Sequence, residues 1–449
     1  MRAVGLKAML VGLCGLGLAA CASAPAITGL PVDTGPEAAD APPQAPGEAL
    51  AYIDAFSEES ITVAILLPLS GQRAAIGESL FNAATMALFD AYDPRLRLLP
   101  FDTQATPAGA RRAAEAAADA GADVILGPLF FDSVHAAGPI ASAAGVPMIA
   151  FTNDRSAAGG GVYLLSFLPD EEVSRIVAHA ANQGRRSIAA LIPEGAYGEL
   201  VLEAFGRAAN RYGIAISRIE IYPREAEALF SPVRDLADYD SRHQAYLRER
   251  EVLQEMDDDL AQELLKELQS VETIGEVPFD AVLLPEGGGL VRSLAALLPF
   301  YEVDPEKVMF LGTGLWQDPS LLREPPLNGA RFAAPNYQRW AEFVGRYRGL
   351  YGEAPPRIAT LAYDAMALVA SLAREPFPEA RFGRDAFLDP NGFSGVDGLF
   401  RFTETGTAER RLSVIEIGPR GFAEVEPAPT SFVTTVGRAV TPEAVPEPR

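Results

Sequence analysis

The sequence predicts an α/β chain built on two parallel sheets, each covered by helices on both faces. Three observations carry this. From residue 61 onward, short apolar strands alternate with helix-spaced segments, the rhythm of strand–helix–strand units. The strands are nearly unbroken runs of Val, Ile, Leu and Ala, as expected where neither sheet face meets water. There are also more strands than one such sheet usually needs.

In order, 61–67 is a buried strand. A helix over 74–91 follows, with Ile76, Leu80, Ala83, Ala84, Ala87 and Leu88 at helical spacing. Strands over 96–101, 124–126, 147–150 and 162–167 alternate with helices over 107–120 and 133–144. A second series has a helix over 171–183, a strand over 187–192, a helix over 197–212 and a strand over 214–221. After a break come a strand over 279–284, a helix over 287–298 and a strand over 308–311. Within the break, 231–273, Leu253, Met256, Leu260, Leu264 and Leu268 fall at steps of three and four. They predict one long amphipathic helix, preceded by a second from Ser241; its stripe is expected to dock on its own domain, the alternative being a partner.

The N-terminus reads as an export signal: Arg2 and Lys7, an apolar run, then Leu18-Ala-Ala-Cys21. The run is too short to span a bilayer comfortably. Cys21 after Leu-Ala-Ala resembles the lipobox of bacterial lipoproteins, which implies lipidation of Cys21 after cleavage of residues 1–20. Ala22 rather than Asp follows, resembling outer-membrane sorting with the protein facing the periplasm. Residues 21–60 are rich in Ala and Pro and poor in large apolar side chains, the composition of a disordered tether. At about 3.1 Å per residue it reaches on the order of 100 Å. Cys14 lies inside the signal, so the mature chain holds no disulfide. The net charge of −23 becomes −25 once Arg2 and Lys7 are removed. That excludes nucleic acid as a partner, because it requires a basic face, and leaves the lipid anchor as the only membrane contact.

Ile65-Leu-Leu-Pro-Leu-Ser-Gly-Gln-Arg-Ala-Ala-Ile-Gly77 resembles the opening of type I periplasmic binding proteins of the leucine-binding kind. More closely, it resembles the penicillin-binding protein activator family of outer-membrane lipoproteins. Asp102-Thr-Gln-Ala-Thr-Pro-Ala-Gly109, Ile125-Leu-Gly-Pro-Leu129 and Gly145-Val-Pro-Met-Ile-Ala-Phe-Thr-Asn153 continue the likeness. So do Phe279-Asp-Ala-Val-Leu-Leu-Pro-Glu-Gly-Gly288, Phe310-Leu-Gly-Thr-Gly314 and a C-terminal hairpin at Gly398-Leu-Phe-Arg-Phe402. The resemblance implies a type I periplasmic-binding-protein fold: two Rossmann-like lobes with parallel central sheets, joined by a hinge across a cleft, plus a helical insertion. Its expected parts are lobe I over 61–165 and 335–390, and lobe II over 166–334 and 391–430. The insertion at 231–273 lies within lobe II, and 431–449 is a disordered tail.

In open parallel sheets the loops after the strands form the ligand crevice. Those loops place Ser70, Gly71, Gly127, Pro128, Thr152, Asn153, Tyr197, Glu286 and Thr313 as ligand-binding candidates. The resemblance implies that Ser70, Gly127 and Thr152 would hold a ligand carboxylate. Leucine-type relatives carry an acid after the strand ending at Gly312, facing a ligand ammonium. Here Thr313-Gly-Leu-Trp316 follows, with no acid before Asp318 and only Glu286 nearby to substitute. An ammonium buried without a partner is costly, which argues against free amino acids.

His135, His179 and His243 are widely separated, without metal-ligand spacing, and no nucleotide or serine-hydrolase motif is present. Asp257-Asp-Asp259 lacks the glycine and the terminal glutamate of a calcium loop and reads as a solvated helix face. No enzyme activity, metal or cofactor is expected. The resemblance implies a non-enzymatic lipoprotein that binds and regulates a peptidoglycan synthase, a penicillin-binding protein. The alternative is a periplasmic receptor of an ABC transporter, binding amino acids or other small anionic ligands in the cleft.

Overall fold

The computed structural model describes residues 60–256 and 258–432. The expected signal, Cys21, the tether through residue 59 and the tail from 433 lie outside them. The first sheet collects β1 (Ile61–Leu67), β2 (Leu96–Asp102), β3 (Val124–Leu126), β4 (Met148–Ala150) and β5 (Val162–Leu164). Its order is β2-β1-β3-β4-β5, and all neighbours are parallel. The alternation of β1 serves two cores at once. Val63, Ile65 and Leu67 pack with Leu80, Ala83 and Ala84 of α1 (Ala74–Ala91). Ala64 and Leu66 face Ala110, Ala114 and Ala117 of α2 (Pro107–Asp119), and Val134 and Ala137 of α3 (Phe131–Ala143). Thr106 starts α2, its Oγ1 accepting from the Gly109 N–H at 3.0 Å with Pro107 at the first helical position.

The strand expected over 162–167 ends at Leu164. The Leu165 N–H still bonds to the Ala150 carbonyl at 2.9 Å. The chain then leaves the sheet and enters α4 (Pro169–Asn182), where Pro169 takes a first-turn position. The second lobe continues with β6 (Ser187–Pro193), α5 (Ala196–Tyr212), β7 (Ala215–Tyr222), α6 (Phe230–Leu236), α7 (Tyr239–Glu255) and α8 (Asp259–Leu268). It closes with β8 (Ala281–Leu283), α9 (Gly288–Phe300), β9 (Met309–Gly312) and β10 (Arg331–Ala334). Ile188, Ala190 and Ile192 of β6 face α4 and α5, while Ala189 and Leu191 face α6 and α9.

From β10 the chain returns to the first lobe through α10 (Tyr337–Tyr351) and α11 (Ala359–Leu372), whose apolar faces join the α1 side of the core. β11 (Phe393–Gly395), β12 (Gly398–Phe402) and β13 (Ala408–Arg410) form a small antiparallel sheet. β14 (Ser413–Gly418) and β15 (Gly421–Glu426) then complete a seven-stranded second sheet, β15-β14-β10-β9-β8-β6-β7. The chain thus passes between the lobes three times, after β5, after β10 and after β13.

Two expectations are corrected. The segment 391–430, expected wholly in the second lobe, divides near Arg411. Phe402 packs 5.2 Å from the Tyr163 ring, and Phe400 and Phe402 belong to the first core, whereas Ile415 and Ile417 belong to the second. The five-residue stripe is not one helix either. Met256 is extended, and the Asp258 carboxylate accepts from the Ala261 N–H at 2.7 Å, starting a new helix. A hairpin results, its base closed by His243 Nδ1, 2.6 Å from the Glu272 carbonyl. Leu253 and Ala261 are buried, but Met256, Leu260 and Leu264 are 44%, 65% and 37% exposed. The stripe therefore does not dock as a unit on its own domain.

Candidate functional site

The strand ends of the two sheets face each other across a cleft of about 510 Å³, the position that open parallel sheets reserve for ligands. The first lobe supplies Leu129, Phe130 and Phe131 after β3, and Phe151, Thr152 and Asn153 after β4. The second supplies Tyr197 after β6, and Gly314, Leu315 and Gln317 after β9. Ser166, Phe167, Glu172, Pro335 and Arg357 come from the crossings and the helix starts beside them. The walls are mainly aromatic and aliphatic, the composition of a pocket that takes an apolar body.

Few polar groups punctuate these walls. The Glu172 carboxylate, carried in by the first turn of α4, accepts from the Gly314 N–H at 3.0 Å. Burial pushes its pKa up to about 7, against the pull of that N–H and of the Arg357 and Arg410 charges. A Cβ at Gly314 would lie 2.6 Å from Glu172 Oε1, so a side chain there would displace the carboxylate. The Gln317 Nε2 donates to the Pro335 carbonyl at 3.1 Å, while its Oε1 is buried without a hydrogen-bond partner among the described residues. An unpaired buried acceptor is costly, and a ligand donor would relieve it. The Tyr197 hydroxyl lies 3.3 Å from Thr313 Oγ1, and burial raises its pKa, reinforced by Glu172.

Of the residues expected at the site, Thr152, Asn153 and Tyr197 line the cleft together. Thr313 is fully buried behind Tyr197. Ser70, Gly71, Gly127, Pro128 and Glu286 do not line it. Ser70 holds the Asp102 carboxyl, helping to keep its pKa low against burial. Gly127, at φ +83°, is a glycine because a Cβ would meet the Leu66 carbonyl oxygen at 2.3 Å. Glu286 is 1% exposed, its carboxylate accepting from Arg224 at 2.8 Å and the Tyr222 hydroxyl at 3.2 Å. Glu286 thus does not stand in the cleft, and the acid that does is Glu172. Glu172 reaches the loop after β9 from a different element. In the sequence it is one of three acids in Pro169-Asp-Glu-Glu172, and acids are favoured at any helix start.

Beneath the cleft lies a charged cluster. The Arg357 guanidinium sits 4.5 Å from the Phe167 ring centroid and 4.8 Å from that of Trp340. It donates to Asp397 at 2.6 Å and Thr360 at 2.9 Å, and the Thr360 hydroxyl donates to Asp397 at 2.6 Å. Asp364 accepts from the Val396 N–H at 2.7 Å and has Arg410 at 3.9 Å. Burial and the Asp397 charge push its carboxyl pKa up.

The sequence profile of the periplasmic binding protein family matches residues 60–421. A putative branched-chain amino acid ABC transporter protein from Rhodospirillum rubrum is 19% identical. It superposes with a TM-score of 0.64 over 82% of this chain and 100% of its own. A solute-binding protein of Rhodopseudomonas palustris, in complex with 3,4-dihydroxybenzoic acid, is 19% identical at a TM-score of 0.54, covering 85% and 99%. The branched-chain amino acid transporter substrate-binding protein of Streptococcus pneumoniae, in complex with isoleucine, is 16% identical at 0.50, covering 82% and 100%. An uncharacterised protein of Rickettsia prowazekii is 22% identical over 180 residues, 40% of this chain and 48% of its own. The chain thus spans about half the length of the curated relative it matches. These likenesses establish the fold, two parallel-sheet lobes of the leucine-binding type.

Proposed function

This chain belongs to the periplasmic binding protein family, and on that premise we propose that it is a non-enzymatic envelope receptor for a small ligand, the substrate-binding partner of an ABC transporter. The observation that carries the reading is the aromatic cleft lined by two residues with acceptor oxygens, Glu172 and Gln317. That pairing suits a ligand with an apolar body and a donating head, above all an ammonium. Thr152 and Asn153 on the opposite wall, with Tyr197, take its other polar groups. The solved relatives support the class, since isoleucine and dihydroxybenzoate both join a small apolar body to polar ends. Thermal-shift titration with apolar and aromatic amino acids and with benzoates tests it. A ligand at 100 times its Kd adds about 2.7 kcal/mol to stability. Absence of any shift across that panel refutes the reading.

The regulator of a peptidoglycan synthase ranks second. It is supported by the Cys21 lipobox and tether, which would anchor the protein in the outer membrane facing the periplasm. The apolar side chains left exposed on the α7–α8 hairpin also support it. Envelope pull-down of a bifunctional penicillin-binding protein, lost on deleting 231–273, would favour it over the receptor. Recovery of no synthase would end it.

A further inference from the structure

The first turn of α4 is a wall between two cavities. Glu172 faces the cleft, whereas Asp170 and Glu171 line a separate cavity of about 570 Å³. Seven arginines line this second cavity, in a chain of net charge −23. Arg155 and Arg401 come from the first lobe, and Arg175, Arg207 and Arg211 from the second. Arg410 and Arg411 stand where the chain crosses between them. The acids on its walls are largely engaged. Asp170 is paired with Arg155 at 2.7 Å and also with Arg207, and Glu409 with Arg401 at 2.9 Å. Arg175 holds Glu426 at 2.7 Å. Burial, with Glu409 and Asp170 beside it, pushes the Glu171 carboxyl up to about 7, which reduces its counter-charge at neutral pH.

The arginines keep unspent donors. Arg175 Nη2 and Arg411 Nε are buried without a hydrogen-bond partner among the described residues, as are both terminal nitrogens of Arg410, whose Nη1 has the Asp364 carboxylate 3.9 Å away. Arg410 is itself only 5% exposed. Arg211 makes no ion pair among the described residues, and its guanidinium lies 6.0 Å from the Tyr212 ring centroid. Five of the seven arginines have a carboxylate partner, and Arg211 and Arg411 have none among the described residues; guanidinium charge in excess of carboxylate is favourable ground for an added anion. The planar guanidinium forks match phosphate and carboxylate oxygens.

We propose that this cavity is a second binding site, distinct from the cleft, for a compact soluble ligand bearing two or more negative charges of the phosphate type. Its walls come from both lobes and both cavities share one helical turn, so the ligand bridges the elements that border the cleft.

Calorimetric titration of the full chain with inorganic pyrophosphate tests this, with acetate at matched ionic strength as the comparison. Pyrophosphate is expected to bind saturably and to weaken as salt is added, and acetate to give no isotherm. Arg211→Gln and Arg411→Gln should each raise the Kd about tenfold, with Arg211→Lys intermediate because it keeps the charge and loses the fork. Arg211 is exposed, so its variants keep the wild-type circular dichroism. Glu172→Gln should bind pyrophosphate like the wild type, which separates this site from the cleft. No binding at about 1 mM, an affinity of only about 4 kcal/mol, overturns the proposal. So does binding that both Gln variants leave unchanged. Co-sedimentation with phosphatidylglycerol vesicles that is lost in Arg211→Gln would assign the site to a lipid headgroup and overturn the soluble ligand.

Discussion

The cleft and the hinge beneath it are built from opposite materials. The cleft is an apolar chamber in which the Glu172 carboxylate accepts from one backbone N–H and Gln317 Oε1 from none among the described residues. The hinge cluster is buried charge whose carboxylates are engaged, with Arg357 sandwiched between Phe167 and Trp340 and anchored on Asp397 and Thr360. Buried polar groups that satisfy one another define structure, whereas those left short of partners await something from outside. The same residue types therefore carry different meanings a few ångströms apart.

This contrast breaks most visibly at Asp397, which is fully buried. Asp397→Ala leaves the Arg357 guanidinium without its carboxylate and should cost about 3 kcal/mol in urea unfolding, as removal of one partner from a buried pair does. At the cleft the order of effects reverses. Glu172→Gln should lower affinity for an ammonium-bearing ligand by about 2 kcal/mol, roughly thirtyfold in Kd by calorimetry, without lowering the unliganded Tm. No charged partner is orphaned by that change.

A pH titration sharpens the comparison. The folded pKa of Glu172, about 7, lies above its ordinary value of 4.5. Its neutral form therefore favours the fold below the ordinary value, and that contribution fades as pH rises through 7. Binding of a cationic head runs the other way, since it needs the ionised carboxylate. Affinity should rise severalfold between about pH 6 and pH 8, and the rise should vanish in Glu172→Gln. Gly314→Ala should act more weakly. A Cβ 2.6 Å from Glu172 Oε1 displaces the carboxylate, weakening ligand binding a few-fold and costing under about 1 kcal/mol of stability. The smallest effect belongs to the α7–α8 hairpin. Leu260→Ser with Leu264→Ser should stay within about 0.5 kcal/mol of the wild type in urea, because both side chains are exposed.

The legibility of this molecule in its sequence follows the range of the interactions involved. Strands such as β4 and β6 are visible because covered parallel strands must be apolar throughout, and the loops after them name Thr152, Asn153 and Tyr197. Glu172 is not visible, because a helix start favours acids for its own reasons and Asp170, Glu171 and Glu172 look alike in the chain. Arg357 becomes a site residue only when Phe167 and Trp340 arrive on either side of it from distant segments. The hairpin misleads for the converse reason. Leucines at helical spacing announce one stripe, but Asp258 offers its carboxylate to backbone N–H groups and starts a second helix.

The three passages of the chain between the lobes also have a mechanical consequence. Two bodies joined by one strand can swivel freely, and a single cut sets them adrift. Joined by three, they retain bending about the line of the crossings, while twisting and sliding are opposed. A protease that nicks any one crossing would leave two others intact. The nicked protein would run as two fragments in denaturing gel and elute as a single particle under native conditions. Durability under attack is thus woven into the same route that brings the Arg410 Nε to the Ser166 carbonyl at 3.5 Å.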